Sequence, residues 1–162
     1  VLLWLNILAE TGGSVRELLL SHWQTYGRNY YSRHDYEAVD AARAGDMMAS
    51  LRGKLASLPG QSFAAGAVAS ADEFAYDDPV DGSRSEGQGM RIAFENGSRI
   101  VMRLSGTGTV GATLRVYLEA YESDPEKLEA EAEDALGDII ASAEAIAGIV
   151  EFTGRTAPDV KT

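Results

Sequence analysis

The sequence predicts an α+β fold, in which an antiparallel sheet is backed by helices on one face. Three runs of residues alternate between apolar and polar side chains, which is the pattern of a half-buried strand, over 89–95, 99–104 and 113–121. The first two runs are joined by Asn96-Gly97, a dipeptide typical of a hairpin turn. Apolar residues recur at helical spacing over 125–149, so the sequence predicts one long helix that covers the apolar face of the sheet.

The other elements are predicted from shorter signals. Ser14 and Glu17 have the spacing of a capping box, which starts a helix that Gly27 ends. A later run of helix formers stops at Pro59-Gly60. The stretch from 61 to 89 is rich in Ala, Gly, Ser and Asp, and we expect it to be mostly irregular, with a tight turn in DPVDGS. The expected elements are helices over 1–9, 15–26 and 37–58 and strands over 29–36 and 73–76.

Length and charge limit the classes of protein to which the chain can belong. A length of 162 residues fits one domain and a piece of a neighbour. The net charge of −11 argues against nucleic acid or an anionic membrane as a partner. The apolar start is too short for a membrane-spanning helix, which takes about 20 apolar residues. The lack of cysteine excludes disulfides and thiolate metal sites, and it fits a reducing cytosol.

One basic island lies in this acidic chain, the run RLSGTGTVGATLR at 103–115. Alternation places Arg103 and Arg115 opposite the apolar side chains of their strands, so both guanidinium groups emerge on one open sheet face if the strands are neighbours. The hydroxyls and glycines between them would let side chains and bare backbone N–H groups approach an oxygen-rich ligand. Arginine pairs with phosphate through bidentate hydrogen bonds, so the pattern favours a phosphate site. A solvated loop flanked by surface arginines is the structural alternative, because the run is neither a Walker loop nor a Rossmann fingerprint.

Other chemistry-bearing residues have simpler structural interpretations. His22 and His34 are twelve positions apart without a neighbouring ligand set, so we expect packed or solvated roles for them. An acidic group near the DPVDGS turn lacks the spacing of a calcium loop, and we expect it to shape the turn. Four aromatic residues could form a sugar platform, but packing is the simpler expectation. The acidic group is Asp77, Asp78 and Asp81, and the aromatic residues are Trp23, Tyr30, Tyr31 and Tyr36.

The run RLSGTGTVGATLRVYLEAYE at 103–122 resembles the phosphate-binding loop and following strand in the C-terminal domain of the phosphoglucomutases, within the α-D-phosphohexomutase superfamily. The resemblance covers nearly the whole chain, because several long motifs follow in the same order. They are HWQTYGRNYYSRHDYE at 22–37, DDPVDGS at 77–83, ENGSRIVMRLS at 95–105 and TGRTAP at 153–158.

The resemblance implies a four-domain cytoplasmic enzyme that interconverts glucose 1-phosphate and glucose 6-phosphate. In that family the reaction passes through a phosphoserine and glucose 1,6-bisphosphate, with Mg²⁺ beside the phosphoserine. The last domain has a fold similar to the TATA-binding protein, and it grips the phosphate that is not reacting. The resemblance implies that 14–162 form this domain and that 1–13 are the end of the third domain with its linker. The implied phosphate contacts are Arg103, Ser105, Gly106, Thr107 and Arg115.

The sequence departs from the complete family pattern at its start. It does not begin with methionine, and its first nine residues would form an apolar helix that needs a partner, so we expect a fragment of a longer protein. The family's serine, magnesium and sugar loops are absent from these residues, so we expect no catalytic residue and no metal ligand here. The expected partners are a hexose phosphate and the upstream domains. A non-catalytic phospholigand-binding or scaffolding protein, or a mutase for mannose or glucosamine phosphates, remains an alternative, and the role of Arg155 stays open.

Overall fold

The computed structural model describes residues 1–108 and 111–162, with the side chains at 107 and 108 excepted. Two short 3₁₀ turns, at Leu55–Ser57 and Pro125–Lys127, lie between the main elements. The helices are α1 (Leu2–Thr11), α2 (Val15–Tyr26), α3 (Ala41–Lys54), α4 (Ala132–Ala135), α5 (Gly137–Ala147) and α6 (Ile149–Thr153). The strands are β1 (Arg28–Val39), β2 (Ser62–Phe63), β3 (Gly66–Asp77), β4 (Arg84–Phe94), β5 (Arg99–Gly108), β6 (Gly111–Glu122) and β7 (Val160–Lys161).

The strands form one seven-stranded sheet in the order β2-β3-β4-β5-β6-β1-β7, with each described neighbouring pair antiparallel. The predicted hairpin is confirmed: residues 95–98 connect β4 to β5, and the Phe94 N–H donates to the Ser98 carbonyl at 2.8 Å. Gly97 adopts a φ of +87°, a conformation for which glycine is suited. The predicted α+β fold with an antiparallel sheet is therefore confirmed.

The hydrophobic core lies between one face of the sheet and helices α3, α5 and α6. On the central strands the inward side chains alternate with outward polar ones, as predicted, and they are almost wholly buried. The opposite sheet face is left open. The inward residues are Ile100 and Met102 on β5, Leu114, Val116 and Leu118 on β6, and Met90 and Ile92 on β4.

Two predicted elements in the first half have wrong boundaries. The helix predicted over 37–58 begins only at Ala41, because the Asp40 carboxylate caps it by accepting from the backbone N–H groups of Ala42 and Arg43 at 3.0 Å. Residues 37–39 instead belong to β1, where Ala38 has a φ of +51° at a bulge. The strand predicted over 73–76 is the end of the much longer β3, whose small residues hide its pattern.

The single helix predicted over 125–149 is wrong, since the segment folds into a 3₁₀ turn and separate helices. Side chains from β1 take the carbonyls that a continuous helix would use. The Tyr30 hydroxyl donates to the Lys127 carbonyl, and the Arg28 guanidinium donates to the Leu128 carbonyl, both at 2.6 Å. Gly148, with a φ of +66°, then separates α5 from α6. Tertiary hydrogen bonds thus override the helical periodicity.

The two N-terminal helices form as predicted. The capping box is present, because the Ser14 hydroxyl accepts from the Glu17 N–H at 3.3 Å and the Glu17 carboxylate accepts from the Ser14 N–H at 2.7 Å. The hydrogen bonds that the Glu17 carboxylate accepts from the Ser14 N–H and from the Ser14 hydroxyl lower the pKa of Glu17. Helix α1 leaves Leu2, Leu3 and Trp4 exposed. Within the described residues, each helix is too short or too polar to cross a lipid bilayer.

Candidate anion-binding site

Arg103 and Arg115 lie directly opposite each other on the antiparallel strands β5 and β6. Their neighbours Leu104 and Leu114 point into the core, so the two arginines project from the open face. Side chains opposed in this way have Cβ atoms about 5 Å apart. The sheet register therefore brings two like charges together at the end of the strands that leads into the SGTGTVGAT loop.

The Arg115 side chain is buried at one edge and open at the other. Its Nε atom is buried and makes no hydrogen bond within the described part of the chain. A carboxylate oxygen of Asp35, on the neighbouring strand β1, lies 3.9 Å from this Nε. Since 42% of the Arg115 side chain is exposed, the outer part of the guanidinium remains accessible to a ligand. A fork of N–H donors of this kind matches the oxygens of a phosphate.

Arg103 is held by a neutral partner. Its Nη2 lies 3.4 Å from the Oε1 of Gln88, a long hydrogen bond to an amide oxygen. The partner in this contact is a neutral amide and not a carboxylate. Both arginines of the motif therefore have weak hydrogen bonding where the chain is described, which suits a site that receives an anion.

The connecting loop is described only at its two ends. Ser105 is half-buried and lies opposite Thr113, while Gly106 is exposed with a φ of +77°. Gly111 has a φ of +100°, and a Cβ there would lie 2.8 Å from the Val39 carbonyl oxygen. The Thr107 side chain, an implied phosphate contact, lies outside the described residues. Gly106 has open space beside it, which leaves room for close approach to a ligand, whereas Gly111 makes room for the backbone of β1.

Beside the two arginines the open face forms a groove of about 820 Å³. Each of its other arginines is paired with an acid. The pairs are Arg33–Asp35 at 2.9 Å, Arg91–Asp72 at 2.6 Å and Arg99–Glu119 at 2.5 Å. Exposed ion pairs of this type contribute little free energy, but they cancel local charge. Uncancelled positive charge is thus concentrated toward the loop end, where Arg103 lies at the border of the groove.

The remaining candidates do not assemble into a reactive cluster. His34 is buried on the core face of β1, and burial lowers its pKa, whereas His22 is exposed on α2 beside Tyr26. Asp78 and Asp81 accept from backbone N–H groups of the turn at 2.8 Å. Within 1–108 and 111–162, no three His, Asp or Glu side chains are grouped as a metal site would require.

The aromatic candidates have different environments. The Arg28 guanidinium lies over the rings of both Trp23 and Tyr30, with its central carbon 4.2 and 3.9 Å from their centroids. Tyr36 is buried in the core. Tyr31 is 77% exposed and lines the open groove. Packing therefore explains Trp23, Tyr30 and Tyr36, and Tyr31 alone faces the open side.

Arg155 binds the C-terminal tail to β1. Its Nη1 donates to an Asp159 carboxylate oxygen at 3.0 Å and its Nη2 donates to the Glu37 carbonyl at 3.2 Å. The other oxygen of the Asp159 carboxylate accepts from the Glu37 N–H at 2.8 Å. These hydrogen bonds among Arg155, Asp159 and Glu37 form a clasp next to the bulge at Ala38. The Ala38 backbone lies against Gly111 at the end of the loop.

Three residues around the site were missed by sequence reasoning: Asp35, Gln88 and Gly89. Asp35 has the correct parity for the open face of β1, but only the register between β1 and β6 places it beside Arg115. In β4, Gln88 lies just before the alternating run over 89–95, and Gly89 is the first residue of that run. For Asp35 the missing information was the pairing of β1 with β6, two strands that are distant in sequence.

Comparison with known proteins shows which family the chain resembles in sequence. Residues 28–159 match the family model described as phosphoglucomutase-1, C-terminal domain. The whole chain is 56% identical to a phosphoglucomutase of Rhizobium radiobacter and 47% identical to human phosphoglucomutase-1, and it spans about 30% of the length of each. A plant relative from Populus tremula, named as a cytoplasmic phosphoglucomutase, is 48% identical.

A solved structure agrees with these relatives. The crystal structure of the Paramecium phosphoprotein pp63/parafusin, a phosphoglucomutase in its open form, superimposes with a TM-score of 0.85 and 44% identity. The match covers 98% of this chain and 28% of the Paramecium chain. The chain therefore belongs to the phosphoglucomutase family, and it corresponds to the C-terminal part of those proteins.

Proposed function

We propose that this chain is the part of a cytoplasmic phosphoglucomutase that binds the non-reacting phosphate of the substrate and closes the active cleft. The complete enzyme would interconvert glucose 1-phosphate and glucose 6-phosphate, through a phosphoserine and glucose 1,6-bisphosphate. The single observation that supports the proposal most is the placement of Arg103 and Arg115, opposite each other on the open face beside a glycine-rich loop.

Each part of the motif has a role in this proposal. The guanidinium groups of Arg103 and Arg115 donate to phosphate oxygens, and the hydroxyls of Ser105 and Thr107 add donors. Gly106 lets the backbone N–H groups approach the same oxygens. Hydrogen bonds to charged partners contribute about 1.5–3 kcal/mol each, so losing one arginine removes a large share of the binding free energy.

The rest of the chemistry is assigned to upstream domains. Mg²⁺ would assist phosphoryl transfer beside the serine, and the described residues here do not offer a set of ligands for it. We place the start of the phosphate-binding domain at residue 14 and assign 1–13, with exposed α1, to the end of the preceding domain and its linker. The matched family model begins at residue 28, so the boundary at residue 14 is our proposal and is not part of that match.

The experiment is Arg115→Ala in the complete enzyme. Loss of a bidentate contact of about 3 kcal/mol lowers kcat/KM for glucose 1-phosphate by about 100-fold. The upstream serine should still accept a phosphoryl group, since it is remote from this contact. Arg16→Ala is the matched control, because Arg16 lies on α2, outside the sheet, and pairs there with Glu129. Kinetics of Arg115→Ala equal to wild type would refute the assignment.

Two other functions stay distinct from this one. A non-catalytic phospholigand-binding or scaffolding protein would keep the arginine pair but lack a serine loop and a metal loop upstream. A mutase for mannose or glucosamine phosphates would keep all of these and differ in its sugar loop. Turnover of the complete protein with each hexose phosphate separates the three possibilities.

A further inference from the structure

Asp35 is a buried carboxylate on a sheet face that is otherwise open. Only 6% of its side chain is exposed, although its alternation on β1 points it to the same side as Arg33 and Arg115. The tail covers it, since Val160 of β7 pairs with Asp35 and the Asp159 N–H donates to the Asp35 carbonyl at 2.8 Å. A charge buried in this way needs a compensating partner.

Two guanidinium groups compensate this charge unequally. One oxygen of Asp35 accepts from the Arg33 Nε at 2.9 Å, which is a normal charged hydrogen bond. The other oxygen lies 3.9 Å from the Arg115 Nε, too far for a hydrogen bond but close enough for strong attraction in a buried environment. Arg33 thus holds the carboxylate in place, and the carboxylate faces the inner edge of Arg115.

The orientation of Arg115 depends on this edge. Its Nε is buried while the side chain as a whole is 42% exposed, so the inner edge faces Asp35 and the Nη groups face outward. If the guanidinium faced Asp35 with its Nη groups, those paired donors would bind the carboxylate and would not be available to a ligand. If the guanidinium faced no acid, it would rotate freely at the end of its long side chain, and ordering this side chain on ligand binding would cost entropy.

We propose that Asp35 is a positioning residue, which holds Arg115 by its Nε edge and leaves both Nη groups for an anionic phosphate. This inference rests on the proposed function, because it concerns how the phosphate contact is made. Under this proposal β1 contributes to ligand binding by positioning Arg115, in addition to the contacts of the phosphate loop.

The main test is a double-mutant cycle in the complete enzyme. Asp35→Asn keeps the shape of the side chain and removes its charge, so Arg115 loses its orientation. We expect the KM for glucose 1-phosphate to rise by about 10-fold with kcat changed by less than about 3-fold, because binding to the non-reacting phosphate is shared by ground and transition states. In an Arg115→Ala background, Asp35→Asn should have no further effect on KM.

The matched control is Glu119→Gln. This substitution also converts a carboxylate to an amide on the open face, and it also releases an arginine, Arg99. A general change in face charge would alter KM in both variants, whereas the positioning role alters it only in Asp35→Asn. A lower KM in Asp35→Asn would mean that Asp35 merely repels the phosphate, which overturns the inference.

The outcomes separate the inference from the proposed function. If Arg115→Ala leaves KM unchanged, the phosphate assignment fails. If Arg115→Ala raises KM but Asp35→Asn does not, or acts equally without Arg115, only the inference fails. Should Asp35→Asn not fold, exchange of the Arg115 Nε–H proton in the wild-type enzyme decides by NMR. Slow exchange that persists with bound glucose 1-phosphate supports the inference, and fast exchange refutes it.

Discussion

Gly89 lies directly against the side chain of Arg103. A Cβ built at position 89 would be 2.7 Å from the Cγ of Arg103 and 2.9 Å from the Met102 carbonyl oxygen. Gly89 also has a φ of +150°, which residues with a side chain rarely adopt. The aliphatic part of the Arg103 side chain can lie across the sheet at this point because position 89 has no side chain.

The first prediction concerns this contact. Gly89→Ala should lower the free energy of unfolding by about 1–3 kcal/mol, through steric overlap and backbone strain. It should also raise the KM for glucose 1-phosphate, since Arg103 must move. Urea unfolding and steady-state kinetics measure the two effects. The control is Gly53→Ala on α3, where a Cβ has open space and alanine is expected to be neutral or stabilising. Wild-type KM in Gly89→Ala would show that Arg103 needs no fixed path.

The second prediction concerns the Arg155 clasp. Arg155→Gln removes the charged bonds to Asp159 and the Glu37 carbonyl. We expect the amide protons of Asp159 and Thr162, which bond to β1, to exchange with solvent faster than in the wild type. Hydrogen exchange followed by NMR is the measurement. Arg16→Gln, which breaks a remote exposed pair with Glu129, should leave these two amides unchanged. Equal protection in both variants would assign the tail's stability to β7 pairing alone.

The third prediction concerns the stack around Arg28. Lysine cannot reproduce a planar group stacked on both Trp23 and Tyr30 while donating to the Leu128 carbonyl, so Arg28→Lys should lower the free energy of unfolding by about 1–2 kcal/mol. Trp23 fluorescence in a Trp4→Phe background reports this directly during urea unfolding.

Arg16→Lys is the control for Arg28→Lys, because Arg16 lies exposed on α2, the helix that carries Trp23. If the two variants unfold at the same urea concentration, the stack does not hold α2 to the sheet.

The fourth prediction concerns pH. Burial and the Lys161 ammonium lower the pKa of His34 below its ordinary 6.5, while Glu133 and Asp35 act weakly in the opposite direction. The folded protein therefore binds this proton less tightly than the unfolded chain. The stability contributed by neutral His34 is complete above about pH 6.5, and it is lost as the pH falls from there toward the folded-state pKa.

Urea unfolding at a series of pH values from about 7.5 to about 5 checks this dependence, because this range spans the ordinary pKa of histidine. His34→Gln should flatten the decrease in stability on the acidic side. The exposed His22 provides the control, and His22→Gln should keep the wild-type slope. An unaltered slope in His34→Gln would assign the acid sensitivity to carboxylates.

Local patterns predicted those features that depend on neighbours in sequence. Alternation over 99–104 and 113–121 predicted Arg103 and Arg115 on one open face on the condition that the two strands are neighbours, because side-chain direction follows strand parity. The capping box at Ser14 is equally local. The C-terminal helix was predicted wrongly because Arg28 and Tyr30, about a hundred residues away, take the carbonyls near 128. Asp35 could not be assigned to Arg115 without the β1–β6 register, which is a property of the folded sheet.

The opposition of Arg103 and Arg115 also has a consequence for stability. Like charges directly across a strand pair are destabilising, by a part of the roughly 0.2–1 kcal/mol typical of such pairs. The ligand-free sheet is therefore under electrostatic repulsion at the end of β5 and β6, and a bound dianion would remove it. Thermodynamic linkage then requires that phosphate esters raise the melting temperature of the protein as they fill the site. Under the proposed function, the positive charge that weakens this corner of the ligand-free sheet is the same charge that would bind the phosphate.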